Sequence, residues 1–310
     1  MKKAIKFFAI AAFALFIGSN AYAQDLSQAG ELYNNAATAL NEGNSQAALD
    51  GFNQALAAAE ALGEEGAELS NNCKNIIPKL YIQLGKEAAS TEDMAKAAEL
   101  LGKAHSLATE WGKAEEANDA KETLVQVYIA GGNSLLNEKK YDEAIASYTK
   151  ATEVDPANGL AYLRIGMCEG AKGNTDGAIE AYTKASENGE EANAKKQMGN
   201  LYAKKAVACY KAKDNQGAVD AAVKASEYGN SAAAKIGGIC AFNLKKNDQA
   251  ISLLEPLADE TAKTNDVKYY LARAYEAKAN NAKACTYYKA IASDAKYKAY
   301  ADSKVASLCK

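Results

Sequence analysis

Histidine is almost absent from this sequence: His105 is the only one in 310 residues. Mechanisms built on a pair of histidines or on a multi-histidine metal cluster are therefore excluded. A Ser-His-Asp triad would have to use His105, which has no G-x-S-x-G motif to serve, so it reads as an ordinary, partly exposed helix residue. Arginine is nearly as scarce, with Arg164 and Arg273 alone, which leaves little capacity for planar, bidentate capture of phosphate or carboxylate. No phosphate loop is present, because Gly85-Lys86, Gly102-Lys103 and Gly112-Lys113 all lack the glycine five residues earlier. The six cysteines include no C-x-x-C pair and no zinc-ligand spacing. Paired carboxylates such as Glu115-Glu116 and Glu190-Glu191 sit in short charged stretches and read as solvated surface. The chain is accordingly not expected to be an enzyme, and no cofactor and no metal is assigned to it.

Proline is confined to Pro78, Pro156 and Pro256, and no apolar run after Ile17 is long enough to cross a membrane. What is present is alanine, lysine, glutamate, asparagine and tyrosine, a composition most simply satisfied by helix throughout.

The first 23 residues differ from the rest. Lys2, Lys3 and Lys6 precede an apolar run from Phe7 to Ile17, followed by Gly18, Ser19, Asn20 and Ala21-Tyr22-Ala23. This is the layout of a cleavable secretory signal, with cleavage expected after Ala23. No cysteine occurs before Cys73, so there is none at the boundary to lipidate. The expected mature chain begins at Gln24, is periplasmic or cell-envelope associated, and has no membrane span. Removing three lysines and no acids leaves 33 basic against 39 acidic side chains, a net charge of about −6 that argues against a nucleic-acid partner.

The chain resembles itself. Residues 142–153 read DEAIASYTKATE, and 34 residues later 176–187 read DGAIEAYTKASE, alike at eight of twelve places; QGAVDAAVKASE follows at 216–227. Each copy comes after a stretch with apolar residues three and four apart and a polar turn such as Asn137-Glu138-Lys139-Lys140. A 34-residue helix-turn-helix period resembles the tetratricopeptide family. The copy that follows its pattern best has Tyr128, Gly131-Gly132, Leu135, Ala144, Tyr148, Ala151 and Pro156; the next has Tyr162, Ile165-Gly166, Ala178, Tyr182 and Ala185. Small residues such as Gly132, Gly166 and Ala144 are expected where two helix backbones cross.

Extending this template gives an all-α, right-handed α-solenoid of about seven helix-turn-helix repeats. Its parts are degenerate repeats over 24–123, a regular array over 124–292 and a capping helix over 293–310. Second-helix spacings run from 32 to 49, and the excess near Gly63–Asn72 and Thr109–Lys121 implies longer helices or loops in the first third. Cys168, Cys209, Cys240 and Cys285 fall on inward slots where a thiol packs as a small hydrophobe; whether any cysteines pair is left open.

The resemblance implies a concave groove lined by the first helix of each pair, in which partner peptides or helices lie. Carried over slot by slot, the lining is Asn133, Leu136, Leu163, Met167, Val207, Tyr210, Lys235, Phe242, Tyr269 and Arg273. The family's carboxylate clamp is not expected, because the Lys slot before Asn133 holds Ile129. The function expected is an exported scaffold binding protein partners. A structural spacer or self-associating envelope component is the alternative, and an enzyme the remote one. Partner identity and oligomeric state are not legible.

Overall fold

The computed structural model of the protein describes residues 21–258 and 264–309, with side chains from residue 25 onward. The expected signal segment lies outside the described residues except for the backbone of its last three positions, which open the first helix. Described helices fall into seven pairs: α1 (Ala21–Asn41) with α2 (Ser45–Ala61), α3 (Ala67–Ser90) with α4 (Met94–Glu110), α5 (Ala114–Asn137) with α6 (Tyr141–Val154), α7 (Gly159–Lys172) with α8 (Thr175–Ala185), α9 (Glu191–Lys211) with α10 (Asn215–Glu227), α11 (Ala234–Asn243) with α12 (Asn247–Leu254), and α13 (Asn265–Ala277) with α14 (Asn281–Ile291). A closing helix, α15 (Lys298–Leu308), follows. The fold is an all-α solenoid; α1 to α6, and α8 to α15, each pack on their neighbours in sequence. Among the described residues there is no strand.

Each pair is joined by the same short device. The residue before the cap of the second helix takes a left-handed conformation: Gly43, Glu92, Lys139, Gly173, Lys213, Lys245 and Ala279, with φ between 57° and 85°. In five pairs the next residue, Asn44, Asp93, Asn174, Asp214 or Asn280, then uses its side-chain oxygen to accept a backbone N–H three residues on. The polar turns of the sequence are thus a left-handed residue and an N-cap in succession, which reverse the chain within about one helical turn.

Within a pair, a small residue of the first helix lies under a large residue sixteen positions later. A Cβ added to Gly132 would stand 2.5 Å from Tyr148 Cε1, one added to Gly166 2.5 Å from Tyr182 Cε1, and one added to Gly85 2.7 Å from Leu101 Cγ. Gly238 bears the same relation to Leu254. The large partners are buried, Tyr148, Leu101 and Leu254 completely. Each such ring or leucine removed from water contributes about 1.5–3 kcal/mol, which it could not do if the first helix carried a larger side chain there.

The chain divides into two compact units, 1–161 and 162–310. In the first, Tyr33, Phe52, Leu69, Cys73, Ile77 and Leu80 make one cluster, and Ile82, Leu101, Leu124 and Val127 another. The extra residues of the first third are extra helical turns, since α3 and α5 each run 24 residues against 14 for α7. In the second unit the core is built on Leu253, Leu254, Leu271, Tyr275, Tyr288 and Ile291, with Tyr297 and Ala301 of the closing segment added to it.

One cysteine departs from the packing role expected of it. Cys285 of α14 is bonded to Cys309, immediately after α15, with Cα atoms 5.6 Å apart. The slot is inward-facing as expected, but α15 folds back over α14 and brings the terminal cysteine to it, a tertiary proximity invisible in local spacing. Cys73, Cys168 and Cys240 are buried free thiols, and Cys209 is a half-buried one.

Candidate partner-binding faces

The ten residues expected to line a groove all lie on first helices, in α5, α7, α9, α11 and α13. Their surroundings differ. In the first unit, half-buried Asn133 accepts a 2.8 Å hydrogen bond from the Tyr148 hydroxyl, and Leu136 is half-buried beside it on α5. In the second, Leu163 is buried with Tyr182, Ala185 and Met198. Met167 is half-buried, its sulfur accepting from Arg164 Nη1 at 3.8 Å. Val207 is half-buried, whereas Tyr210 is 49% exposed and faces solvent.

Phe242, Tyr269 and Arg273 come together, though largely to engage one another. The Arg273 guanidinium stands 4.7 Å from the Phe242 ring centroid and 5.4 Å from that of Tyr269, and Nη1 donates to the Tyr269 hydroxyl at 3.2 Å. Tyr269 is also stacked on Tyr297 at 4.7 Å and meets Tyr270 and Tyr300 edge-on. Lys235 pairs with Asp266 at 3.3 Å; the same carboxylate takes Lys296 at 2.8 Å and the Tyr297 hydroxyl. The Lys296 ammonium and the Tyr297 hydroxyl, with Lys235 behind them, hold Asp266 down to about 2. The closing segment, through Lys296, Tyr297 and Tyr300, thus occupies the aromatic end of the repeat array. Residue type alone did not reveal this, because which residues the cap covers depends on the bend between Ile291 and Lys298.

Side chains in the first third, among them the Glu115-Glu116 pair read from sequence as solvated surface, form an open cleft of about 630 Å³ between α3 and α5. Ile82 is buried at its floor; Gln83, Glu87 and Ser90 line one side, Glu115, Glu116 and Asp119 the other. Two ion pairs cross it, Lys79 to Glu116 at 3.2 Å and Lys86 to Asp119 at 2.9 Å. A second hollow of about 450 Å³ shares Lys86 and Asp119 and continues past Glu122 and Gln126 over Ala89, Met94 and Val127. The signal that could have found it is the spacing 115, 119, 122, 126 on α5 opposite 79, 83, 86, 90 on α3, each one face of a helix.

Chemistry beyond binding finds few parts. His105 is half-buried, its Nδ1 2.9 Å from the Ala117 carbonyl, so that nitrogen carries the hydrogen and donates it. Burial pushes Cys73 up to about 12 and Cys168 up to about 11, which keeps both as thiols. Among the described residues, no three His, Cys, Asp or Glu side chains are grouped to hold a metal, and no helix is long and apolar enough to cross a membrane.

No curated protein matches the sequence. Among solved structures, MamA is similar at 22% identity over 57% of this chain and 94% of its own, with a TM-score of 0.36. YrrB, described as a TPR protein with an unusual peptide-binding site, is similar at 24% identity over 57% of this chain and 91% of its own, with a TM-score of 0.34. A tetratricopeptide repeat protein from Parabacteroides merdae covers 93% of this chain and all of its own at 15% identity, with a TM-score of 0.29. Models of the tetratricopeptide repeat match residues 125–158, 160–188 and 266–295, which fall on the second half of α5 with α6, on α7–α8 and on α13–α14. These matches identify tetratricopeptide repeats within the chain, and in α5–α6 and α7–α8 they coincide with the sixteen-residue packing of Gly132 under Tyr148 and Gly166 under Tyr182.

Proposed function

We propose that the protein is an exported scaffold that holds protein partners against the first-helix faces of its repeats. The observation that carries the reading is the open cleft between α3 and α5, an unfilled surface between adjacent first helices of the kind that accepts a peptide or a helix. Export is supported by the basic, apolar and small-residue succession of residues 1–23 and by the Cys285–Cys309 disulfide, which persists most readily in an oxidising compartment. The test has two arms. Expression in a bacterial host followed by N-terminal sequencing should give Gln24 in the envelope fraction; a chain retained with Met1 in the cytoplasm would remove export. Cross-linking to envelope proteins should then place the cross-links on α3, α5 or α9, and cross-links absent from every first helix would remove the groove.

The spacer reading gains from one observation. Phe242, Tyr269 and Arg273 are committed to each other and to the closing segment, so at this end the anchors serve the fold itself. On this ground we propose the binding surface in the first unit and at Tyr210, with the aromatic end serving the fold.

A further inference from the structure

We infer that the α3–α5 cleft receives a lysine- or arginine-bearing segment of a partner protein. This rests on the scaffold reading above and adds the chemistry of what binds. Five carboxylates, Glu87, Glu115, Glu116, Asp119 and Glu122, stand along the cleft and its continuation against only two ammoniums, Lys79 and Lys86. Those two are already engaged across the cleft by Glu116 and Asp119. Among the described residues, the Glu87 carboxylate receives only the amide of Gln83, and no cation pairs with Glu115 or Glu122. Three negative charges therefore remain along a face whose floor is apolar.

Lys and Arg side chains match that combination: an aliphatic stem can lie on Ile82, Val127 and Ala89 while the charged head reaches the rim. An acidic or neutral segment would bury carboxylates against carboxylates or leave the rim unpaired. Glu115 and Glu122 are seven residues apart on one helix, about 10 Å along its axis. A partner helix with basic residues two turns apart would meet both. The acidic part of α5, residues 114–121, belongs to the turns that lengthen this repeat beyond 34 residues, so the cleft is a property of this chain's extended first third.

The experiment uses the full chain and three fluorescent synthetic peptides of about 18 residues, long enough to cover the face as a helix. One is amphipathic with lysines two turns apart, one has glutamates at the same places, and one has glutamines. The lysine peptide is expected to bind, with affinity falling at least about tenfold between 0.05 and 0.5 M salt. The variant Glu87→Gln/Glu115→Gln/Glu122→Gln is expected to lose binding by about tenfold or more. A control of equal charge change, Glu42→Gln/Glu64→Gln/Glu65→Gln, exposed and away from the cleft, is expected to retain it. Equal loss in the control would reduce the effect to bulk charge and overturn the proposal, as would equal binding of the glutamate peptide. Binding that persists in the cleft variant and protects α9 from hydrogen exchange would overturn the proposal yet leave the scaffold reading standing. If the lysine peptide fails, cross-linked partner fragments decide separately: fragments on α3 and α5 without basic residues overturn only the cationic occupant, and no fragment on any first helix overturns both.

Discussion

Gly166 lies under the ring of Tyr182, so that a Cβ placed on it would be 2.5 Å from Cε1 and 2.6 Å from Cδ1. Tyr182 is buried with Leu163 and Met198. We expect Gly166→Leu to destabilise the second unit by about 1–3 kcal/mol, the usual cost of overpacking. Thermal unfolding followed by circular dichroism checks this; an unchanged midpoint would show that the crossing is looser than drawn.

The left-handed turn residues give a prediction of the opposite sign. Lys213 and Ala279 hold φ of 63° and 57°, a conformation that costs a residue with a Cβ about 1 kcal/mol. Glycine removes that strain and gives back part of it as unfolded-chain entropy. Ala279→Gly should therefore raise stability by a few tenths of a kcal/mol to about 1. Chemical denaturation reads the difference, and a lower midpoint would refute it.

Reduction of Cys285–Cys309 should lower stability by about 3 kcal/mol, because the bond closes a loop of 24 residues in the unfolded chain. The loss should concentrate in α15, with faster hydrogen exchange at Ala301 and Val305 on adding dithiothreitol. Cys285→Ser/Cys309→Ser should show the same exchange without reductant, and identical exchange in all three states would mean that packing alone holds the cap.

Asp266 makes the stability of the second unit depend on acid. Its folded carboxyl is lowered to about 2 by Lys296, Tyr297 and Lys235, against an ordinary value near 3.9 in the unfolded chain. A lowered carboxyl contributes stability in full above the unfolded value and loses it as pH falls through the folded one. The contribution should therefore fade between about pH 4 and about pH 2. Asp266→Asn should lower stability at neutral pH and flatten that part of the pH profile relative to wild type. A mutant and wild type that run parallel through this window would dispose of the argument.

The aromatic anchors divide. Tyr210→Ser should leave the melting temperature within experimental scatter, because the ring is 49% exposed. Tyr269→Ser should cost about 2 kcal/mol or more, since it removes contacts to Arg273, Tyr270, Tyr297 and Tyr300 together. If Tyr269→Ser is as stable as wild type, the cap does not rest on it and the residue returns to the candidate binding surface.

The helices, their pairing and the small-over-large packing within each pair are legible in the order of residues alone. These are local facts: the left-handed turn, the cap and the sixteen-residue spacing all act within one 34-residue unit, and the Tyr148, Tyr182 and Leu254 partners could be read from the repeat. What happens between repeats came from the three-dimensional packing. It turned the excess residues of the first third into extra helical turns that face each other as a charged cleft. It brought Cys309 to Cys285, and it covered Tyr269 with Tyr297 and Tyr300. The disulfide and the cap depend on the direction in which one helix leaves the next, which no pattern of residue types records, whereas the facing charges of the cleft do leave a helical spacing in the sequence.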